Sequence, residues 1–177
     1  MSRISSLLVS LAGTALGARV GAPLRGPLPA SVTLPAGRDG VILFDGVCNF
    51  CNRWVSFVLD NDPEGYYAFA SLQSGAGRDL LAAIGRDPDD LSTFVVIDRD
   101  GFYTQSDAAL RVGATLKQPA LNTLASALTP LPGPLRDGVY RLVADNRYKI
   151  LGRDADGATP SCKLRADALT AAERFLE

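Results

Sequence analysis

The chain contains no histidine. That absence excludes Ser-His-Asp and Cys-His catalysis, histidine-ligated zinc or haem, and imidazole proton transfer near neutral pH. Acid–base chemistry is left to carboxylates, thiols, Lys, Tyr and water. Cysteine is scarce too, with three in 177 residues, too few for a secreted scaffold stapled by disulfides. There is no excess of positive charge, the net charge being -1. Sequence-independent affinity for nucleic acid comes from clustered Lys and Arg facing phosphates; with no basic stripe, nucleic acid is not an expected partner. Beyond the first 38 residues nothing approaches the ~18 uninterrupted apolar residues of a membrane span. What remains is an ordinary globular composition, 47% apolar and 21% charged, in a chain long enough for one domain plus an extension.

Residues 1–38 are set apart by composition. They hold Arg3, Arg19, Arg25 and Arg38 but no acidic residue, and include Pro23, Pro27, Pro29 and Pro35. Ile4, Leu7, Leu8 and Leu11 share one helical face opposite Arg3, Ser6 and Ser10. An acid-free, Arg- and Ser-bearing amphipathic leader is the pattern of an organelle transit peptide, for plastid or mitochondrion. A secretory signal and the plain tail of a cytoplasmic bacterial protein are the rival readings. All three place 1–38 outside the fold, leaving 39–177 as the domain.

The most informative residues are Asp45-Gly46-Val47-Cys48-Asn49-Phe50-Cys51, directly after the apolar run Val41–Phe44 and before a helical pattern. C-x-x-C at the first turn of a helix that follows a strand is where thiol–disulfide exchange is expected. Unpaired N–H groups and the helix macrodipole favour a thiolate there, so Cys48 is expected to be the more acidic and reactive sulfur. Residues three apart on a helix are neighbours, which lets Cys51 attack a mixed disulfide formed at Cys48. Cys51, Trp54, Val55 and Val58 also form a core-facing stripe. Cys48 is thus expected exposed and Cys51 sheltered.

Downstream, strand and helix patterns alternate. Asn61–Gly65 is turn chemistry, Tyr66–Ala70 a strand, and Ser74–Ile84 a helix stopped at Gly85. Thr93–Ile97 and Phe102–Thr104 read as strands joined by a hairpin at Arg99-Asp100-Gly101. Ser106 or Asp107 would cap a helix reaching about Lys117. Helices follow over Leu121–Leu128, Leu135–Asp145 and Ala166–Phe175. The order β-α-β-α-β-β-α predicts an α/β thioredoxin-like fold: a central mixed sheet, flanking helices and extra C-terminal helices.

The stretches VILFDGVCNFCNRWVSFVLDND, FASLQSGAG, YTQSDAALR and PLRDGVYRLVADNRYKILGR together resemble the DCC family of predicted thiol-disulfide oxidoreductases. Its aspartate and two cysteines match Asp45, Cys48 and Cys51, and the resemblance spans about Val41 to Arg174. It implies a thioredoxin-like fold and protein-disulfide reductase activity that needs no cofactor beyond the Cys48–Cys51 dithiol. Ser92 falls where thioredoxins carry a cis-proline; a non-proline cis bond costs ~2.5–4 kcal/mol, so Ser92 is expected trans and the substrate groove reshaped. Asn49-Phe50 replaces the Gly-Pro of thioredoxin. Asn49, Phe50 and Ser92 are therefore the substrate-groove candidates. The expected partners are a protein or small-molecule disulfide and an electron donor whose identity stays open, as does the direction of electron flow. The chain is expected to act as a monomer.

Each candidate also has a simpler role. The cysteine pair could be half of a zinc site, but zinc normally takes four ligands and only Cys162 and carboxylates are on offer besides the pair. Asp45 could accept a proton from Cys51, or bond to backbone N–H groups and end the strand. Cys162 reads as a small buried hydrophobe or a third redox thiol, Trp54 as a core residue or a groove wall, and Arg53 as solvated. A thioredoxin-like binding module without turnover is the alternative to an enzyme.

Overall fold

The computed structural model describes residues 25–153 and 173–176. Six strands form one mixed sheet in the order β1-β5-β4-β2-β3-β6. At its centre lies β2 (Gly40–Phe44), parallel to β3 (Tyr67–Ser71) and antiparallel to β4 (Val95–Asp98). β4 turns into β5 (Gly101–Thr104) by the expected hairpin. The edges are two-residue strands, β1 (Arg25–Gly26) on β5 and β6 (Phe175–Leu176) on β3. Parallel β2 and β3 followed by an antiparallel hairpin give the thioredoxin-like arrangement.

Side chains of a strand alternate between faces, and both faces of this sheet are covered. Val41 and Leu43 of β2 join Ala68, Ala70, Val95 and Ile97 in one core layer. Helix α2 (Gly75–Ala83) closes that side with Leu81, helped by Ile84 just beyond its end. Ile42 and Phe44 join Tyr67, Phe69 and Val96 on the other face, under α1 (Asn49–Asn61) and α3 (Gln105–Thr115). A strand buried on both sides reads as an unbroken apolar run, as Val41–Phe44 does. Helices α4 (Pro119–Leu128) and α5 (Gly133–Leu151) follow before β6, and α5 returns across α1 and α3.

Several boundaries differ from the sequence expectation. Composition places residues 25–38 in the leader, yet Arg25–Gly26 pair with β5 and Val32 is buried in the core. The first helix after the hairpin starts at Gln105, before Ser106 and Asp107, and Thr104 makes no side-chain cap. Asp137 of α5 supplies that function, accepting the Ser106 N–H at 3.3 Å and the Ser106 hydroxyl at 2.5 Å. The helix expected over Ala166–Phe175 lies mostly outside the described residues, and its last residue, Phe175, is in β6. Residues 1–24 and Cys162 also lie outside them. Among the described residues no helix is long and apolar enough to cross a membrane.

Candidate active site

The turn between β2 and α1 is built around Asp45, which is buried. Its Oδ1 accepts the Val47 N–H at 3.2 Å and the Gln73 amide at 2.8 Å. Its Oδ2 accepts the Tyr148 hydroxyl and faces Arg147 Nη2 at 3.4 Å. The Asp45 carbonyl takes the Cys48 N–H at 3.2 Å, closing the turn. A Cβ on Gly46 would lie 2.6 Å from Ser71 Oγ, so a larger residue there would turn the Ser71 hydroxyl away from its bond to Gln73 Oε1. Asp45 thus fills the backbone-binding role and meets three side chains from distant parts of the chain.

Cys48 is the N-cap of α1, in an extended conformation with φ -93° and ψ 114°. Its sulfur sits where a capping Ser or Asp oxygen would, accepting the Cys51 N–H at 3.5 Å. Both cysteines are free. The Cys48 thiol is lowered to about 6, chiefly because the Cys51 thiol donates to it. Burial opposes that shift, the Cys51 and Phe50 N–H groups add to it, and the Asp45 charge works against it. Cys51 is raised by the same hydrogen bond, by burial and by the neighbouring negative charges, with Arg147 opposing. One sulfur holds charge and the other holds the proton.

The exposure of the pair is the reverse of what spacing predicts. Cys48 has 0% relative exposure, whereas Cys51 is half-buried. The N-cap conformation turns the Cys48 sulfur back over the helix end, and the backbone of Arg153 pairs with that of Cys48 as an isolated antiparallel bridge. Asn49 supports that bridge by donating to the Leu151 carbonyl at 3.2 Å. Cys51 instead forms part of the wall of an apolar cavity of about 250 Å³ between α1, α5 and the loop before β4.

Of the groove candidates, Phe50 lines this cavity. Asn49 faces the end of α5, and Ser92 is exposed, its neighbours Leu91 and Thr93 reaching the cavity in its place. All described peptide bonds are trans, Ser92 included. Trp54 is both core and wall: it packs on the second core layer, lines the cavity and meets the Phe94 ring at a tilt of 45° with centroids 4.6 Å apart. Arg53 is exposed. Among the described residues no group of three or more Cys, Asp or Glu is placed to hold a metal ion.

Sequence reasoning missed Gln73, Tyr140, Arg147 and Tyr148. Arg147 ties the site together: besides facing Asp45, it donates to the Leu91 carbonyl at 2.8 Å and lies over the Tyr148 ring at 4.6 Å. Tyr140, Ala144, Arg147 and Tyr148 fall at helical spacing on one face of α5, which was the available signal. Nothing in the spacing says that this face meets a turn 100 residues earlier.

Comparison with known proteins bears on the same residues. A family model described as DCC1-like thiol-disulfide oxidoreductase matches residues 42–153. The uncharacterized protein YuxK of Bacillus subtilis is 41% identical over 125 residues, which cover 71% of this chain and 90% of that one. A protein of Arabidopsis thaliana named as a chloroplastic DCC family protein is 42% identical over 124 residues, 70% of this chain and 69% of that one. No solved structure matches. The family match encloses both cysteines, Asp45, Gln73, Arg147 and Tyr148, and the chain belongs to the DCC1-like thiol-disulfide oxidoreductase family.

Proposed function

We propose that the protein is a protein-disulfide reductase in which Cys48 attacks and Cys51 resolves. The observation that carries this is the Cys48 sulfur held at the N-terminus of α1 by the Cys51 N–H and thiol, with its pKa lowered to about 6. At pH 7 such a thiol is largely ionised, and the thiolate is the nucleophile. It bonds to one sulfur of a substrate disulfide and expels the other as a thiolate, which takes a proton from water. Cys51 then gives up its proton and attacks the Cys48 sulfur, forming the Cys48–Cys51 disulfide and releasing the second substrate thiol. Two electrons pass from the dithiol to the substrate, and an external dithiol reductant returns them.

Asp45 and Arg147 bear on the second step. Arg147 favours the Cys51 thiolate, and Asp45, whose charge acts on both sulfurs, is the carboxylate assigned to take the Cys51 proton directly or through water. Attack by Cys48 requires its sulfur to become accessible, since the residue is fully buried. That burial is the one observation favouring the second reading, a binding module of the same fold without turnover.

Insulin reduction driven by dithiothreitol separates the two. The wild type is expected to accelerate it while Cys48→Ser and Cys51→Ser do not, and the Cys51→Ser protein accumulates a mixed disulfide through Cys48. Equal rates for all three would leave the binding module. The chloroplastic name of the Arabidopsis relative supports an organelle, and specifically a plastid, as the destination set by the residues ahead of β1; a fluorescent protein fused behind residues 1–24 that stays in the cytosol would contradict this.

A further inference from the structure

The cavity beside Cys51 is larger than thiol exchange requires. Exchange needs only a path for one sulfur to reach Cys48, yet about 250 Å³ of space opens one helical turn away. Phe50 and Trp54 of α1, Phe94 of the loop before β4, and Tyr140 and Val143 of α5 wall it. Most polar groups at its edge are engaged already, the buried Arg147 Nε being the one left without a hydrogen-bond partner among the described lining residues. The Tyr140 and Thr93 hydroxyls bond to each other at 2.8 Å, and Asp45 and Arg147 face one another. An apolar cavity of roughly 150 Å³ takes up benzene, and sites for drug-sized ligands begin near ~300 Å³. The volume therefore suits one aromatic or branched aliphatic side chain and is small for a cofactor.

What lies outside the mouth points to a polypeptide as the bearer of that side chain. Leu135, Val139 and Leu142 on the outer face of α5 are 60%, 63% and 68% exposed. Val139 and Val143 belong both to this apolar surface and to the cavity. The surface thus runs continuously from the wall that holds Cys51 along the helix, offering contact to residues flanking the one that is buried. A compact small-molecule disulfide would leave it unused.

We infer that this cavity is a subsite for a bulky apolar side chain next to the reacting cysteine of a polypeptide substrate. The protein then selects disulfides carried by exposed apolar segments, such as those of unfolded chains. The inference rests on the oxidoreductase reading above for its substrate, and the experiment separates the two. Two peptides are compared, each bearing one cysteine joined to glutathione, one with Phe beside that cysteine and one with Ser; hydroxyethyl disulfide serves as a substrate with no side chain.

The wild type is expected to reduce the Phe peptide with a kcat/KM roughly tenfold or more above that of the Ser peptide, the effect of burying one apolar side chain. Ala144→Phe, which fills the cavity from α5, and Val139→Glu, at its exposed mouth, each bring that ratio towards one. Val139→Glu keeps the test valid where Ala144→Phe fails to fold. Equal kcat/KM for the two peptides, with Cys48-dependent reduction of hydroxyethyl disulfide intact, overturns the subsite and leaves the oxidoreductase reading standing. If no substrate is reduced, that reading falls and the subsite is judged by binding. Trp54, the one tryptophan of the chain, reports it: in Cys48→Ser its emission should change with the Phe peptide, its cysteine replaced by Ser, and not with the Ser peptide. Identical responses overturn the inference.

Discussion

A single side chain, Cys48, does two jobs: its sulfur ends a helix and carries the charge. Because the Cys51 thiol is the largest contributor to its acidity and Asp45 opposes it, the effect of changing Asp45 has a definite sign. Asp45→Asn removes a negative charge beside Cys48, so the pH midpoint of Cys48 alkylation is expected to fall below that of the wild type. A rise would contradict the arrangement. The thiols also tie stability to pH. Cys48 is lowered on folding from 9.0 to about 6, so its contribution to the reduced fold is complete above 9.0 and is lost as pH falls through about 6. Cys51, raised on folding, contributes below 9.0 and loses that contribution as pH climbs further. Between pH 6 and 9 the urea midpoint of the reduced protein is therefore expected to rise with pH, and that of the oxidised protein, which lacks both thiols, to stay flat by comparison. A reduced protein as flat as the oxidised one would contradict the lowered Cys48 value.

At the scale of elements, what the sequence makes legible is what local chemistry decides. Helix α1 follows from the Cys51, Trp54, Val55 and Val58 stripe, and both valines are fully buried. The start of α2 follows from Ser74, which accepts the Gly77 N–H at 3.1 Å. The start of α3 was misplaced because its cap, Asp137, arrives from another helix, and because Gln105 takes a φ of 52°, which few side chains adopt. β6 was missed for a similar reason. Two residues carry no strand pattern, and what fixes them is Arg174, which donates to the Tyr67 carbonyl at 2.8 Å and pairs with the buried Asp62. Asp62 in turn accepts the Tyr66 and Tyr67 N–H groups at 2.9 and 3.0 Å, joining the end of α1 to the start of β3. Breaking one partner of a buried pair leaves the other uncompensated, at a cost of about 3–5 kcal/mol. Arg174→Met is expected to lower the unfolding free energy by that order in urea titrations; a loss under about 1 kcal/mol, the value of an exposed pair, would show that the pair is dispensable.

At the scale of the whole molecule, the candidate site exists because α5 folds back over α1. Val41–Phe44 and the C-x-x-C motif placed the cysteines, and the alternation of elements gave the sheet. The residues that hold the site, Arg147 and Tyr148, lie a hundred positions away and meet Asp45 only through tertiary packing. The folded chain reverses the expected exposure of the two sulfurs, with Cys48 fully buried and Cys51 on the cavity wall. Ionisation and accessibility therefore favour different cysteines, and alkylation of the fully reduced protein by iodoacetamide, followed residue by residue across pH, decides between them. Label appearing first on Cys48, with a midpoint near 6, is the predicted result. Label appearing first on Cys51, or on Cys48 with the midpoint near 8.5 of an ordinary thiol, would contradict it.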